Sequence, residues 1–264
     1  MDFEFNTKPD QVVLYMDMLG FRNAIMENDN GIEKRNVLTL NFDVSEQIIR
    51  DMFYGENVNV NFLWMSDSFM LSTDISHINE LLEYMLEIQR NMLISSLPVR
   101  GAICIGRLHH ENNIWGEALV RAVELEETQS KYPRIIISNT DYNALQIKQE
   151  YISYFKTDSA LPDYKYIEPI SYQLDKCLKN AFTNENGIWA VLNILLETIE
   201  EQCQNNSCNE GVYVKWEWLA NEYKKVILQK EQTISEALKI DYNAGMEPQS
   251  VKDCIQRLDK IVRS

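Results

Sequence analysis

The run VVLYMDMLGF at residues 12–21 constrains this chain more than any other stretch. Four to eight apolar residues in succession read as a strand buried on both faces. Asp17 then falls at the strand's carboxyl end, where the chain opens onto a turn at Gly20. A carboxylate in that setting is costly without a partner. One reading is a solvated strand-end Asp that caps the next helix. The other is a carboxylate that holds a hard cation, with the following backbone N–H groups cradling phosphates.

A second stretch has the same form. NVNVNFLWMSDSFMLST, residues 57–73, alternates with period two, becomes apolar, passes through Ser66-Asp67-Ser68 and becomes apolar again. That pattern reads as a hairpin with an acid at its tip. Two acids fifty positions apart, 17 and 67, therefore each end an apolar strand. Mg²⁺ and Mn²⁺ in nucleotide enzymes are held by one or two carboxylates plus substrate phosphates, and two acids meeting at one sheet edge would meet that demand.

Composition narrows the field. With 264 residues and 45% hydrophobic content the chain can bury a full core, as one large domain or one domain with an appendage. A formal net charge of −15 argues against a nucleic-acid partner or an anionic membrane, both of which need a basic face. Cys104, Cys177, Cys203, Cys208 and Cys254 are odd in number and scattered, which reads as free thiols in a reducing cytosol. The acidic, polar start MDFEFNTKPD is unlike a signal peptide, and no apolar run of about eighteen residues offers a membrane span, so a cytoplasmic, soluble protein is expected.

Along the chain, a short helix is expected from Phe21 to Met26 and another over 37–53, with Leu38, Phe42, Ile48, Ile49 and Phe53 at helical intervals. After the Asp67 hairpin, Asp74 reads as the N-cap of a helix whose core positions are Ile78, Leu81, Leu82, Met85, Ile88 and Met92. Pro98 ends it, and Val99–Leu108 reads as a strand. Strand, helix, strand, strand, helix, strand is the ferredoxin-like order, an α+β fold with an antiparallel sheet and helices on one face. His109 and His110 are expected in a polar turn, and with no third ligand at metal spacing they read as exposed turn residues. A helix is expected over 115–127 with Leu119, Ala122, Val123 and Leu125 packing, then a buried strand at Arg134–Ser138. Tyr151–Phe155 and Tyr164–Ile170 read as a marginal hairpin. From about Tyr172 the chain turns helical, at 188–203, 214–229 and 233–240, with Trp216 and Trp218 as packing residues, so the expected division is 1–171 and 172–264.

Three motifs together, YMDMLGF with Asp17, WMSDSFML with Asp67 and VRGAICIGRLHHENNIWGEALVRAVELE, resemble the catalytic domain of class III nucleotidyl cyclases. The resemblance runs from Val12 to about Ser138 and loosely on to Ile170. It implies that Asp17 and Asp67 bind two divalent cations, Mn²⁺ or Mg²⁺, with the backbone carbonyl of Met18 as a further ligand. Leu19, Gly20 and Phe21 would supply backbone donors to the triphosphate. It also implies a head-to-tail homodimer with active sites at the interface, which the helical tail would strengthen.

The departures from that family point to the substrate. Adenylate cyclases read adenine with a Lys and an Asp where this chain has Leu63 and Asn113, and guanylate cyclases use a Glu and a Cys there. Sites that carry an Asn and an Arg in adenylate cyclases hold Val120 and Glu124. Arg100 is the first candidate for the missing cation and Arg121 the second, the alternative for Arg100 being an ion pair that closes a strand end. The RGA strand, the G-x-A-L-V helix start and the Y-P-R before the last strand are most similar to the pyrimidine cyclases of bacterial Pycsar antiphage defence. That resemblance implies UTP ahead of CTP as substrate, cyclic UMP or cyclic CMP as product, and a separate effector that the product activates. An aromatic would stack on the base, with Tyr54 first and Phe53 and Phe62 as rivals. A purine nucleotide substrate, or a degenerate domain that binds nucleotide without turnover, stays open.

Overall fold

The computed structural model describes residues 8–21, 47, 51, 59–110, 113–181, 188–243 and 251–262. The expected helices at 21–26 and 37–53, and Phe53 and Tyr54, fall almost wholly outside them. The chain divides into two compact units, Met1–Ile167 and Glu168–Ser264.

The first unit is an α+β layer structure around β1 (Lys8–Met18). This strand is flanked by β3 (Ser68–Asp74), the second arm of a hairpin begun by β2 (Asn61–Met65), and by β4 (Val99–His110). Both partners run antiparallel to β1. Val12, Val13, Leu14 and Met16 are fully buried, so both faces of β1 are covered, as its unbroken apolar run demands. The order β2-β3-β1-β4 is that of a ferredoxin-like sheet. β6 (Ile135–Ser138) extends it, parallel to β4, followed by β8 (Tyr164–Ile167) and β7 (Lys156–Thr157).

Between β3 and β4 lies α1 (Ile78–Ile94), and all six expected core positions on it are buried. Asp74 accepts from the Ser76 N–H and so caps a short 3₁₀ turn, Ile75–His77, that leads into the helix. α2 (Glu117–Gln129) packs on β1 and β4. Val13, Met70, Cys104, Leu108, Ala118 and Ala122 form the apolar cluster on that side, bordered by Tyr15, Leu63 and Leu125.

Three local expectations are corrected. His109 and His110 belong to β4, which continues past Leu108 because it pairs with β5 (Ile114–Trp115). The His109 and Trp115 rings stack at 4.8 Å across that pairing, so Trp115 is strand and α2 begins only after Gly116. The stretch around Tyr151 is not a strand: after α3 (Asn139–Ala144), α4 (Gln149–Ile152) makes one turn, preceded by Lys148, whose N–H donates to Asn79 Oδ1 at 2.8 Å.

The second unit is helical: α5 (Pro169–Ala181), α6 (Ile188–Asn205), α7 (Glu210–Gln229), α8 (Glu231–Asn243) and α9 (Val251–Ile261). Glu168 caps α5, accepting from the Ile170 N–H at 2.5 Å and the Ser171 N–H at 3.2 Å. Leu195, Leu196, Ile199, Leu219, Tyr223 and Val226 pack the interior. The Tyr223 hydroxyl, fully buried, donates to the Leu192 carbonyl at 2.8 Å. Trp216 is buried and Trp218 is half-buried. Among the described residues no helix is long and apolar enough to cross a membrane.

Candidate active site

The end of β1 brings Asp17 together with Arg100 and Glu126 and sets it beside the Asp67 turn. Register sets Asp17 opposite Ser68 on β3 and opposite Arg100 on β4. Ser68 follows Asp67 directly, and the Met18 N–H donates to the Asp67 carbonyl at 2.8 Å. The fifty-residue separation of the two acids thus reduces to neighbouring positions at one sheet end.

The backbone there is held in unusual conformations. The β2–β3 turn is two residues, Ser66 and Asp67, and Ser66 has φ +55°. A left-handed L-residue costs roughly 1–2 kcal/mol. The turn keeps that conformation while the Trp64 Nε1–H donates to the Ser66 carbonyl at 2.9 Å and Met18 holds Asp67. After Asp17, Gly20 has φ +85°, which glycine adopts readily. Beside Arg100, a Cβ on Gly101 would lie 2.2 Å from the Tyr15 carbonyl oxygen, so only glycine lets β4 approach β1 there.

Arg100 lies between two acids. Its Nε is 2.5 Å from Glu126 Oε1 and 3.5 Å from Asp17 Oδ2. Its Nη2 donates to that same Asp17 oxygen at 3.5 Å, and its Nη1 to the Ser130 carbonyl at 3.4 Å. Glu126 is only 2% exposed. Burial pushes its carboxyl up to about 7, against the pull of Arg100 and with help from Asp17 and Glu127. Tyr15, two residues before Asp17 on the same face, is hydrogen-bonded hydroxyl to hydroxyl with Ser68 at 2.9 Å. Its phenol is raised by burial first, then by Asp17, Glu126 and Asp67, with Ser68 opposing. The groups acting on Tyr15 mark one anionic patch.

Glu126 is the residue that sequence reasoning missed. In VELEE it reads as a solvated face, yet the buried positions of α2 are Ala118, Ala122 and Glu126, an i, i+4, i+8 stripe. The helix phase set by the two alanines was the signal that could have found it. Leu119, Val123 and Leu125, expected to pack, are half-buried.

The other expected site residues fall as follows. Arg121 donates to the Ile105 carbonyl, five residues along β4 from Arg100, at 2.8 Å and to Asp141 at 3.1 Å. Of the backbone donors expected at the turn, the Leu19 N–H donates to the Pro98 carbonyl at 2.9 Å. Gly20 and Phe21 sit at the turn itself. Tyr54 lies outside the described residues. Phe62 packs edge-on to Trp64 at 6.4 Å and stacks with Phe69 at 6.3 Å. Leu63 borders the apolar cluster under α2 and Asn113 is exposed.

Among the described residues no group of three His, Cys, Asp or Glu side chains forms a cage for a metal ion. The pair Asp17 and Asp67 nonetheless fits a hard divalent cation. Its donors are all oxygen, and such ions keep most of their shell as water and substrate oxygens around one or two carboxylates.

No protein-family model matches the sequence, and no curated protein matches it. Among solved structures, one of a bacterial light-regulated adenylyl cyclase aligns at 13% identity and a TM-score of 0.39, covering 64% of this chain and 57% of that one. Another structure of a bacterial light-regulated adenylyl cyclase aligns at 14% identity and a TM-score of 0.36, covering 52% of this chain and 79% of that one.

Proposed function

We propose that the chain is a divalent-cation-dependent nucleotidyl cyclase that converts UTP, and after it CTP, to the 3′,5′-cyclic monophosphate and pyrophosphate. The observation that supports the reading most is the register that sets Asp17 beside Asp67 at one end of the sheet, tied by the 2.8 Å bond from Met18. In the reaction the ribose 3′-hydroxyl gives up its proton, its oxygen bonds to the α-phosphorus, and the bond to the β-phosphate oxygen breaks. Two Mn²⁺ or Mg²⁺ ions, held by Asp17, Asp67 and the Met18 carbonyl, would lower the pKa of the attacking hydroxyl and neutralise the departing pyrophosphate. Asp17 and Asp67 hold charge at the sheet end, Arg100 brings a fixed cation to it, and the Gly20 turn offers backbone to the triphosphate. Leu63 and Asn113 stand where the resembled adenylate cyclases read adenine with a Lys and an Asp, which supports a pyrimidine. The resemblance to the Pycsar cyclases extends the proposal to a cytoplasmic homodimer with active sites at the interface, and to a separate effector in antiphage defence.

A second reading has its own observation. Val120 is 65% exposed and Glu124 is exposed on the same side of α2, where the resembled adenylate cyclases carry an Asn and an Arg. An apolar and an acidic residue there favour a domain that binds nucleotide without turnover. Incubation with Mn²⁺ and each of the four ribonucleoside triphosphates separates the readings. Cyclic UMP and pyrophosphate from UTP are expected. Product from ATP or GTP alone overturns the pyrimidine assignment, and nucleotide binding with no product from any of the four selects the second reading.

A further inference from the structure

Arg100 lies in a close ion pair on one side and in long hydrogen bonds on the other. Its contact with buried Glu126 is 2.5 Å, whereas both of its approaches to Asp17 are 3.5 Å, at the outer edge of a hydrogen bond. The two backbones cannot adjust, because Asp17 and Arg100 are direct partners in the ladder between β1 and β4 and Gly101 packs against the Tyr15 carbonyl. What can move is the guanidinium end of one long side chain. Asp17 is also the carboxylate that the proposed function assigns to a cation. A guanidinium and a divalent ion sharing one carboxylate are held a few ångströms apart, where like charges repel strongly in a half-buried site.

We propose that Glu126 is a positioning residue that draws Arg100 off Asp17 when a divalent cation binds there, so that cation binding and the turning of Arg100 toward the phosphates are one coupled event. The inference rests on the cyclase reading of this site. Glu126 suits the role because it stands on the buried stripe of α2, which fixes it relative to the sheet. Arg100 therefore keeps the Glu126 carboxyl as its partner, and Asp17 exchanges one cation for another.

The test follows binding and the arginine itself, not turnover. Mg²⁺ is titrated into the wild-type chain, Glu126→Gln and Arg100→Gln, with affinity read by calorimetry and folding checked by thermal unfolding. In parallel the Arg100 Nε–H resonance, assigned by its loss in Arg100→Lys, is followed by NMR. Glu126→Gln is expected to weaken Mg²⁺ binding about tenfold and Arg100→Gln to tighten it by a similar factor, as a coupling of ordinary size. The wild-type Nε–H signal is expected to shift with Mg²⁺ saturation, and the shift to be lost in Glu126→Gln. A folded Glu126→Gln that binds Mg²⁺ like the wild type overturns the inference, as does an Nε–H signal that ignores saturating Mg²⁺. A wild-type chain that shows both effects but cyclises no nucleotide supports the inference and overturns the cyclase reading alone.

Discussion

Two arginines in this chain show how differently the two units use the same chemistry. In the helical unit Arg257 forms a closed pair: Nε and Nη2 reach the two oxygens of Glu200 at 2.8 and 2.5 Å, and Nη1 reaches Asn193 at 3.2 Å. Its guanidinium is raised above the usual value, first by the hydrogen bonding it donates to Glu200. Arg100 in the sheet unit is divided between Glu126 and Asp17, with Asp67 at the same end of the sheet. One arrangement sets Nε and Nη2 fork to fork against a single carboxylate, as a structural pair should. The other sets one cation among more carboxylates than it can neutralise, an arrangement that marks a candidate site.

The strongest way to break the contrast is to remove the acids. Asp17→Ala or Asp67→Ala should lower cyclic nucleotide formation by about a thousandfold or more, on the scale of losing a principal electrostatic contact, while thermal unfolding moves little. Activity surviving either change would make these acids as structural as Glu200.

Next in size is pH. Glu126 sits at about 7 in the fold against 4.5 ordinarily, so between those values the folded chain keeps a proton that the unfolded chain releases. Stability therefore falls as pH rises from about 4.5 to about 7, by on the order of 2 kcal/mol from this one group. Denaturant unfolding across that range should show a flatter dependence in Glu126→Gln than in the wild type. Equal slopes would mean that Arg100 cancels the cost of burying Glu126 and that the pair is closed after all.

Arg257→Ala sharpens the other side. The pair is about a quarter exposed at each partner, so its loss should cost about 1 kcal/mol of unfolding free energy. Smallest of all, Ser66→Gly should stabilise the chain by under about 1 kcal/mol, because glycine accepts the left-handed turn without strain.

Much of this was readable in advance, for identifiable reasons. β1, the Asp67 hairpin and α1 announced themselves because long apolar periodicities leave few alternatives, and Asp74 because its side chain can cap. That Asp17 and Asp67 come to the same end of the sheet followed from two apolar strands that each run into an acid. Glu126 was hidden because the stripe that buries it is marked by alanines, which weigh little in any count of hydrophobic residues, and because a glutamate among glutamates reads as solvent-facing. Pairing overrode local pattern at His109, where Trp115 draws β4 onward. The alternation at Tyr151–Phe155 lost to a helical turn preceded by Lys148, held by Asn79 from α1, a partner far away in the chain. Arg100 was named from the motif, but its divided loyalty depends on where Glu126 sits.

Crystals grown with Mn²⁺ and 3′-deoxy-UTP, which cannot cyclise, offer the most direct measurement through the anomalous signal of manganese. The expected map has manganese peaks contacted by both the Asp17 and the Asp67 carboxylates beside the triphosphate. Manganese bound elsewhere, or the two carboxylates turned to opposite sides of the sheet, would contradict the site.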